Sequence, residues 1–214
     1  MNVQLIRHAR TLGNEQKRYI GCTDESLSPL GRHELLEWAN AGIYRPVNAV
    51  FSSPMSRCLE TAALIFPQAA PVVVPQLMEC DFGAFEGKTY EQLKGDANYR
   101  LWLETNGRAP IPCGENPTEF RRRSCEGFEQ VMDASFTADF SSVAVILHGG
   151  SIMAILERFA PGGDFYRWQA PNCGGFRLET EENFWRENRR TDMPEPILSG
   201  TLPKAVDKPQ KEPL

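Results

Sequence analysis

The sequence predicts an α/β fold, a three-layer sandwich with a central, mostly parallel sheet flanked by helices and carrying a lid insertion. Three observations point there. Short apolar runs alternate along the chain with segments of helical periodicity. Several of those runs end in residues that can do chemistry, and in open α/β sheets ligands bind beyond the carboxyl ends of the strands. Finally, 214 residues with 41% hydrophobic content can bury one sizeable core, which makes a single domain the natural reading.

The elements follow in order. The first strand, 3–6, runs straight into Arg7 and His8. A helix over 29–41 leads to a second strand, 49–52, whose end reads Ser52-Ser53-Pro54 and opens a helix over 56–66 containing Arg57. A strand over 71–74 precedes a glycine-punctuated acidic loop with Glu79, Asp81, Gly83, Glu86 and Gly87. Residues 88–117, with Tyr99, Trp102, Arg108 and several prolines and glycines, do not extend the sheet pattern and are read as a lid. A helix over 118–134 and a strand over 143–147 follow. That strand delivers His148-Gly149-Gly150, where the glycines let the start of the next helix, 151–159, approach a ligand closely. A last strand is expected over 175–179. Beyond about residue 190 the chain turns proline- and charge-rich, so the catalytic domain is placed at 1–190 and a disordered tail at 191–214.

The motifs are ordered: Arg7, His8, Ala9, Thr11 and Asn14; Gly21, Asp24, Leu27, Ser28 and Gly31; Ser52, Ser53, Pro54, Arg57, Thr61 and Ala62; Glu79, Gly83, Glu86 and Gly87; His148, Gly149 and Gly150. On these residues, over about 1–180, the chain resembles the histidine phosphatase superfamily, the phosphoglycerate-mutase-like phosphohydrolases. Ala9 departs from the pattern, since the family usually has glycine there. Its methyl is expected to disfavour a positive φ and to crowd a close backbone approach. Pro112-Cys113-Gly114-Glu115-Asn116 followed by Phe120-Arg121 resembles the corresponding segment of α-ribazole phosphatases, and the lid is shorter than in cofactor-dependent mutases.

The residue types suit phosphoryl transfer. A phosphate monoester is a dianion, and the planar guanidinium groups of Arg7 and Arg57 can spread over its oxygens. His8, neutral beside those cations, is the expected nucleophile, giving a phosphohistidine that water hydrolyses. His148 and Asn14 would donate to the transferring group. The resemblance selects Glu79 as the acid for the leaving oxygen and the base for water, with Asp81 as its competitor. Thr11, Asn14, Arg10 and Gly149 are the expected substrate contacts, and Arg10, Lys17 and Arg18 the expected mouth. Glu86 is read as structural, and His33 carries no role.

Other classes lack their signatures. There is no Gly-x-Ser-x-Gly elbow, no Cys-x-x-Cys pair, no zinc spacing, no phosphate-binding Gly-x-x-x-x-Gly-Lys loop and no dinucleotide fingerprint. No metal and no cofactor are expected. A formal net charge of −5 argues against nucleic acid or an anionic membrane as partner. The six unpatterned cysteines, with no signal-peptide pattern and no membrane-length apolar run, predict reduced thiols in a cytoplasmic enzyme. The expected activity is metal-independent hydrolysis of a small phosphate ester. The alternatives are mutase-type phosphoryl transfer, or a non-catalytic phospho-ligand module on the same fold.

Overall fold

The computed structural model describes residues 1–198. Chain order is β1 (Asn2–Arg7), α1 (Leu12–Glu15), α2 (Pro29–Asn40), β2 (Ala49–Ser52), α3 (Ser56–Ile65), β3 (Val72–Val73), α4 (Tyr90–Leu93), α5 (Ala97–Glu104), α6 (Pro117–Thr137), β4 (Ser142–Leu147), α7 (Gly149–Phe159), β5 (Gly175–Glu179), α8 (Glu182–Asn188) and β6 (Glu195–Pro196). The sheet order is β3-β2-β4-β1-β5-β6. β3, β2, β4 and β1 run parallel, β5 pairs antiparallel with β1, and β6 pairs antiparallel with β5. The carboxyl ends of β1, β2 and β4 therefore meet along one edge of the central strands.

Alternation along the strands builds the three layers. Val3 and Leu5 of β1 with Val143, Val145 and Leu147 of β4 face one core, which α6, α7 and α8 close with Phe128, Phe159 and Trp185. Ile6, Ala144 and Ile146 point the other way, against Leu35 of α2 and Cys58 and Ala62 of α3. The helix starts explain the positions. Ser28 Oγ accepts from the Gly31 N–H at 2.9 Å with Pro29 in the first turn, and Asn116 caps α6 in the same way with Pro117.

A third apolar cluster lies beneath the segment between β3 and α6. Phe85, Leu93, Tyr99, Trp102, Ile111 and Phe120 form it, with α4 and α5 supplied by the expected lid segment. These two short helices were not anticipated. Each opens on a side-chain cap, Thr89 for α4 and Asp96 for α5.

The domain boundary expected at 190 falls too early. Thr191 and Ile197 are buried, and β6 pairs with β5 through Phe176–Pro196 and Arg177–Glu195. Pro196 is tolerated because β6 is the sheet's edge. Trp185 was hidden in a polar segment, Glu-Asn-Phe-Trp-Arg-Glu-Asn, with no apolar period to betray α8. The rest of the expected tail, 199–214, lies outside the described residues. Ending the chain after residue 190 should therefore lower unfolding stability by at least about 2 kcal/mol relative to ending it after 198, from loss of Ile197 burial alone. Urea denaturation of the two truncations measures this.

Candidate active site

β1 hands its last residues to the site with the backbone still paired. The Arg7 N–H donates to the Gly174 carbonyl at 2.8 Å, and the His8 N–H to the Leu147 carbonyl at 3.0 Å. His8 is buried and lines a cavity of about 630 Å³. Its Nδ1 lies 2.7 Å from the Ala9 carbonyl. A carbonyl can only accept, so Nδ1 carries the proton and Nε2 keeps its lone pair. Burial first, then the charges of Arg57 and Arg7, hold the imidazole well below the ordinary histidine value.

The structure corrects the expectation for Ala9. Its φ is not positive, its N–H donates to Thr61 Oγ1 at 3.0 Å, and its methyl packs with Ile6, Leu27, Leu35 and Cys58. The methyl fills core and does not line the cavity.

Glu79 is clamped at the start of α7. Oε2 accepts from the Gly150 N–H at 2.9 Å and Oε1 from the Cys80 N–H at 3.0 Å. A β-carbon on Gly150 would stand 2.4 Å from Oε1, so this contact requires glycine there. Burial raises the Glu79 carboxyl above the usual carboxylate range, against the opposing pull of these two donors and of Arg57 and Arg7. Arg123 braces the loop from behind: it grips Glu115 at 2.6 and 2.7 Å and donates to the Gln76, Met78 and Glu79 carbonyls. Asp81, the rival acid, does not line the cavity, and its Oδ1 accepts from the Gly83 N–H. Among the described residues Glu79 is the carboxylate on the cavity wall.

Two arginines approach from different depths. Arg7 lines the cavity, donates to the Ala170 carbonyl at 2.7 Å, and has a buried Nε with no partner among the described residues. Its Cζ lies 3.3 Å from where a β-carbon on Gly149 would be, so the guanidinium can lie against the helix start. Arg57 is wholly buried and does not line the cavity. It donates to the Gly21 carbonyl at 2.7 Å, the Thr23 carbonyl at 2.8 Å and His148 Nδ1 at 3.3 Å. That donor makes Nδ1 the bare nitrogen of His148, so Nε2 carries the proton and donates to Ser53 Oγ at 2.8 Å. Burial and then Arg57, His8 and Arg7 depress the His148 imidazole as well. The two histidine rings stand 5.2 Å apart, centroid to centroid.

The remaining expected contacts divide. Asn14 and Gly149 line the cavity. Asn14 Oδ1 accepts from the Thr11 N–H and from Asn172 Nδ2, both at 3.2 Å, which leaves its amide nitrogen as a donor. Thr11 is buried and caps α1 without lining the cavity. Arg10 also fails to line it: its Nε pairs with Glu34 at 2.9 Å on the exposed side. Arg18 sits at the exposed rim with one donor on the Gly87 carbonyl, whereas Lys17 does not line the cavity. Glu86 accepts from the Gly21, Cys22 and Phe82 N–H groups, the structural part expected of it. Cys22 Sγ and carboxylate oxygens of Asp81 and Glu86 lie within 4.8 Å of one another, but the Glu86 oxygens are already held by this loop and by Thr23 Oγ1.

Two contributors were not foreseen. Asn172 Nδ2 donates to the His8 carbonyl at 3.0 Å as well as to Asn14, fastening the loop before β5 onto the end of β1. The cavity wall also includes Tyr19, Phe82, Trp102, Phe120, Phe165 and Tyr166. Nothing local in the sequence marks either, since both depend on segments that meet only in three dimensions.

A family description, histidine phosphatase superfamily (branch 1), matches residues 3–193. A protein of Hydrogenobacter thermophilus provisionally named phosphoserine phosphatase 2 is 30% identical over 156 residues, 71% of this chain and 75% of its own. A Yersinia pestis protein provisionally named phosphoglycerate mutase GpmB is 25% identical over 191 residues, 86% and 87% of the two chains. The crystal structure of the α-ribazole phosphatase from Shigella flexneri shares the fold, with a TM-score of 0.72 over 85% of this chain and 92% of that one, at 20% identity.

The depressed imidazoles imply a pH-dependent stability. His8 and His148 have lower pKa values folded than unfolded, so the stability of their neutral forms is intact above about pH 6.5 and lost as pH falls below it. Each imidazole costs up to about 1.4 kcal/mol per pH unit in that window. Glu79 has the opposite sign: its raised pKa adds stability in acid that is lost as pH rises through that value. Two protons outweigh one, so urea midpoints should fall between pH 7.5 and 5.5, and His148→Gln should fall distinctly less.

Proposed function

The chain belongs to the histidine phosphatase superfamily, and we propose that it is a phosphate monoester hydrolase working through a phosphohistidine on His8. One observation carries this reading. The Ala9 carbonyl fixes the proton on His8 Nδ1, so a neutral imidazole presents Nε2 as a nucleophile to a cavity that also holds Arg7 and Glu79.

The first step forms the Nε2–P bond as the ester P–O bond breaks, and Glu79 passes its proton to the departing oxygen. In the second, water attacks phosphorus, its proton returns to Glu79, and the N–P bond electrons return to His8. Arg7, with its buried unpartnered Nε, takes the phosphoryl oxygens, aided by the N–H groups that open α7. Arg57 donates to His148, which is fully buried, does not line the cavity and holds Ser53 through its Nε2–H, so both act from behind the phosphate-binding wall. Burial raises the Glu79 carboxyl, which favours the proton it is to give, and lowers the His8 imidazole, which favours the bare Nε2. No step calls on a metal or cofactor. No helix among the described residues is long and apolar enough to cross a membrane, and the expected partner is a small soluble ester.

Mutase-type transfer uses the same phosphohistidine and differs only in its acceptor, and the likeness to the mutase-named relative supports it as the second reading. Incubation with 3-phosphoglycerate separates the two: hydrolysis releases inorganic phosphate, and mutase action yields the 2-phosphate isomer.

Glu79's part is tested by leaving group. An alkyl oxygen must be protonated as it leaves, while p-nitrophenolate departs unaided. In single turnover, Glu79→Gln should slow phosphoenzyme formation from an alkyl phosphate by about 10²-fold or more and from p-nitrophenyl phosphate far less. Equal losses for both would remove Glu79 as the acid. With the wild type, turnover of alkyl phosphates should decline as pH rises through the Glu79 pKa, because the deprotonated carboxylate has no proton to give.

A further inference from the structure

Asn172 does not line the cavity, yet its side chain joins two residues that do. Its Nδ2 lies 3.0 Å from the His8 carbonyl and 3.2 Å from Asn14 Oδ1. A backbone carbonyl can only accept, so the end of the Asn172 amide turned toward His8 has to be the nitrogen. That nitrogen carries two hydrogens, one for the His8 carbonyl and one for Asn14. Asn14 must answer with its oxygen.

The Thr11 N–H, 3.2 Å from the same Oδ1, makes the same demand. Turning the Asn14 amide over would set its NH₂ against two donors, and burying unpaired donors is costly. Its Nδ2 is therefore the end left free on a side chain that lines the cavity. An amide has nearly the same shape either way up, so packing alone does not choose between the two. For an anion the choice decides the sign of the interaction: the nitrogen end attracts a phosphoryl oxygen and the oxygen end repels it.

The loop that carries Asn172 is anchored independently of this amide. The Gly174 carbonyl accepts from the Arg7 N–H at 2.8 Å, and the Ala170 carbonyl accepts from Arg7 Nη1 at 2.7 Å. On the core side the buried Tyr44 hydroxyl donates to the Cys173 carbonyl at 2.7 Å. These bonds hold the loop with or without the Asn172 side chain, which leaves that side chain a narrower task.

We infer that Asn172 is a positioning residue: it passes the fixed polarity of the His8 carbonyl on to Asn14, so that Asn14 meets the phosphoryl group with nitrogen and not with oxygen. This rests on the reading of the cavity as a phosphoryl-transfer site.

A double-mutant cycle tests it, with orthovanadate as the phosphoryl mimic and calorimetry as the readout. Leucine keeps the size of the Asn172 side chain and removes its donor. Asn14→Ala should weaken vanadate binding by about tenfold, and Asn172→Leu alone by about threefold or more, as expected for hydrogen bonds to a charged group. Once Asn14 is alanine, Asn172→Leu should add less than about 1.5-fold, because its effect travels through Asn14. A residue that merely held the loop would cost the same factor in both backgrounds, and that result would overturn the inference. So would unchanged binding by Asn172→Leu, or a wild type that does not bind vanadate. Urea denaturation checks that each variant is folded, and Asn172→Ala takes the place of the leucine variant if that one is not. Hydrolysis of p-nitrophenyl phosphate by the wild type answers the separate question of the phosphatase reading. Coupled vanadate binding with no hydrolysis would sink that reading and leave the role of Asn172 standing, and hydrolysis with equal losses in the two backgrounds would do the reverse.

Discussion

A guanidinium with no exposed surface organises this protein's working end. Arg57 spends its donors on two carbonyls of the loop after α1 and on His148 Nδ1, so one side chain ties α3, that loop and the end of β4 together. Burial first, and then the charge of Arg57, depress both the His8 and the His148 imidazoles. The tautomers follow from the same wiring. Arg57 makes Nδ1 the acceptor on His148, and the Ala9 carbonyl makes Nδ1 the donor on His8, so the two rings present opposite nitrogens to their surroundings.

The carboxylate is placed by the complementary device. Glu79 accepts from the Gly150 N–H at the start of α7, a position open to it only because residue 150 is glycine, and Arg123 fixes the backbone behind it. Burial raises its pKa, against the pull of the Cys80 and Gly150 N–H donors and then of Arg57 and Arg7. Glu79 and His8 thus share one cavity, the carboxyl raised and the imidazole lowered from their ordinary values. The segment that carries α4 and α5 supplies Trp102 to the cavity wall, while Tyr19, Phe82, Phe120, Phe165 and Tyr166 come from other stretches of the chain.

Much of this was legible in the sequence, for reasons that can be named. Strands buried on both faces leave uninterrupted apolar runs, and β1, β2 and β4 were placed to within a residue or two at their ends. Arg7, His8, Arg57, Glu79 and His148 lie at or near the ends of such runs, where the fold gathers them. Tertiary contacts hid the rest. Arg10 looked like a cation at the mouth, but Glu34 draws it to the other side. Ala9 looked like a steric burden, yet its methyl belongs to the core. Asn172 reaches His8 across 164 residues, a separation no local pattern can report. β6 and α8 carry a proline and a polar sequence that only their packing against β5 and the Phe128–Phe159 core explains.

The central claim is that His8 Nε2 carries the phosphoryl group. Mixing the enzyme with a ³²P-labelled phosphate ester, quenching in base within milliseconds and mapping the labelled peptide tests it most directly. The account predicts base-stable, acid-labile label on the peptide containing His8, absent from His8→Ala. Label on another peptide, or hydrolysis by His8→Ala at the wild-type rate, would contradict it.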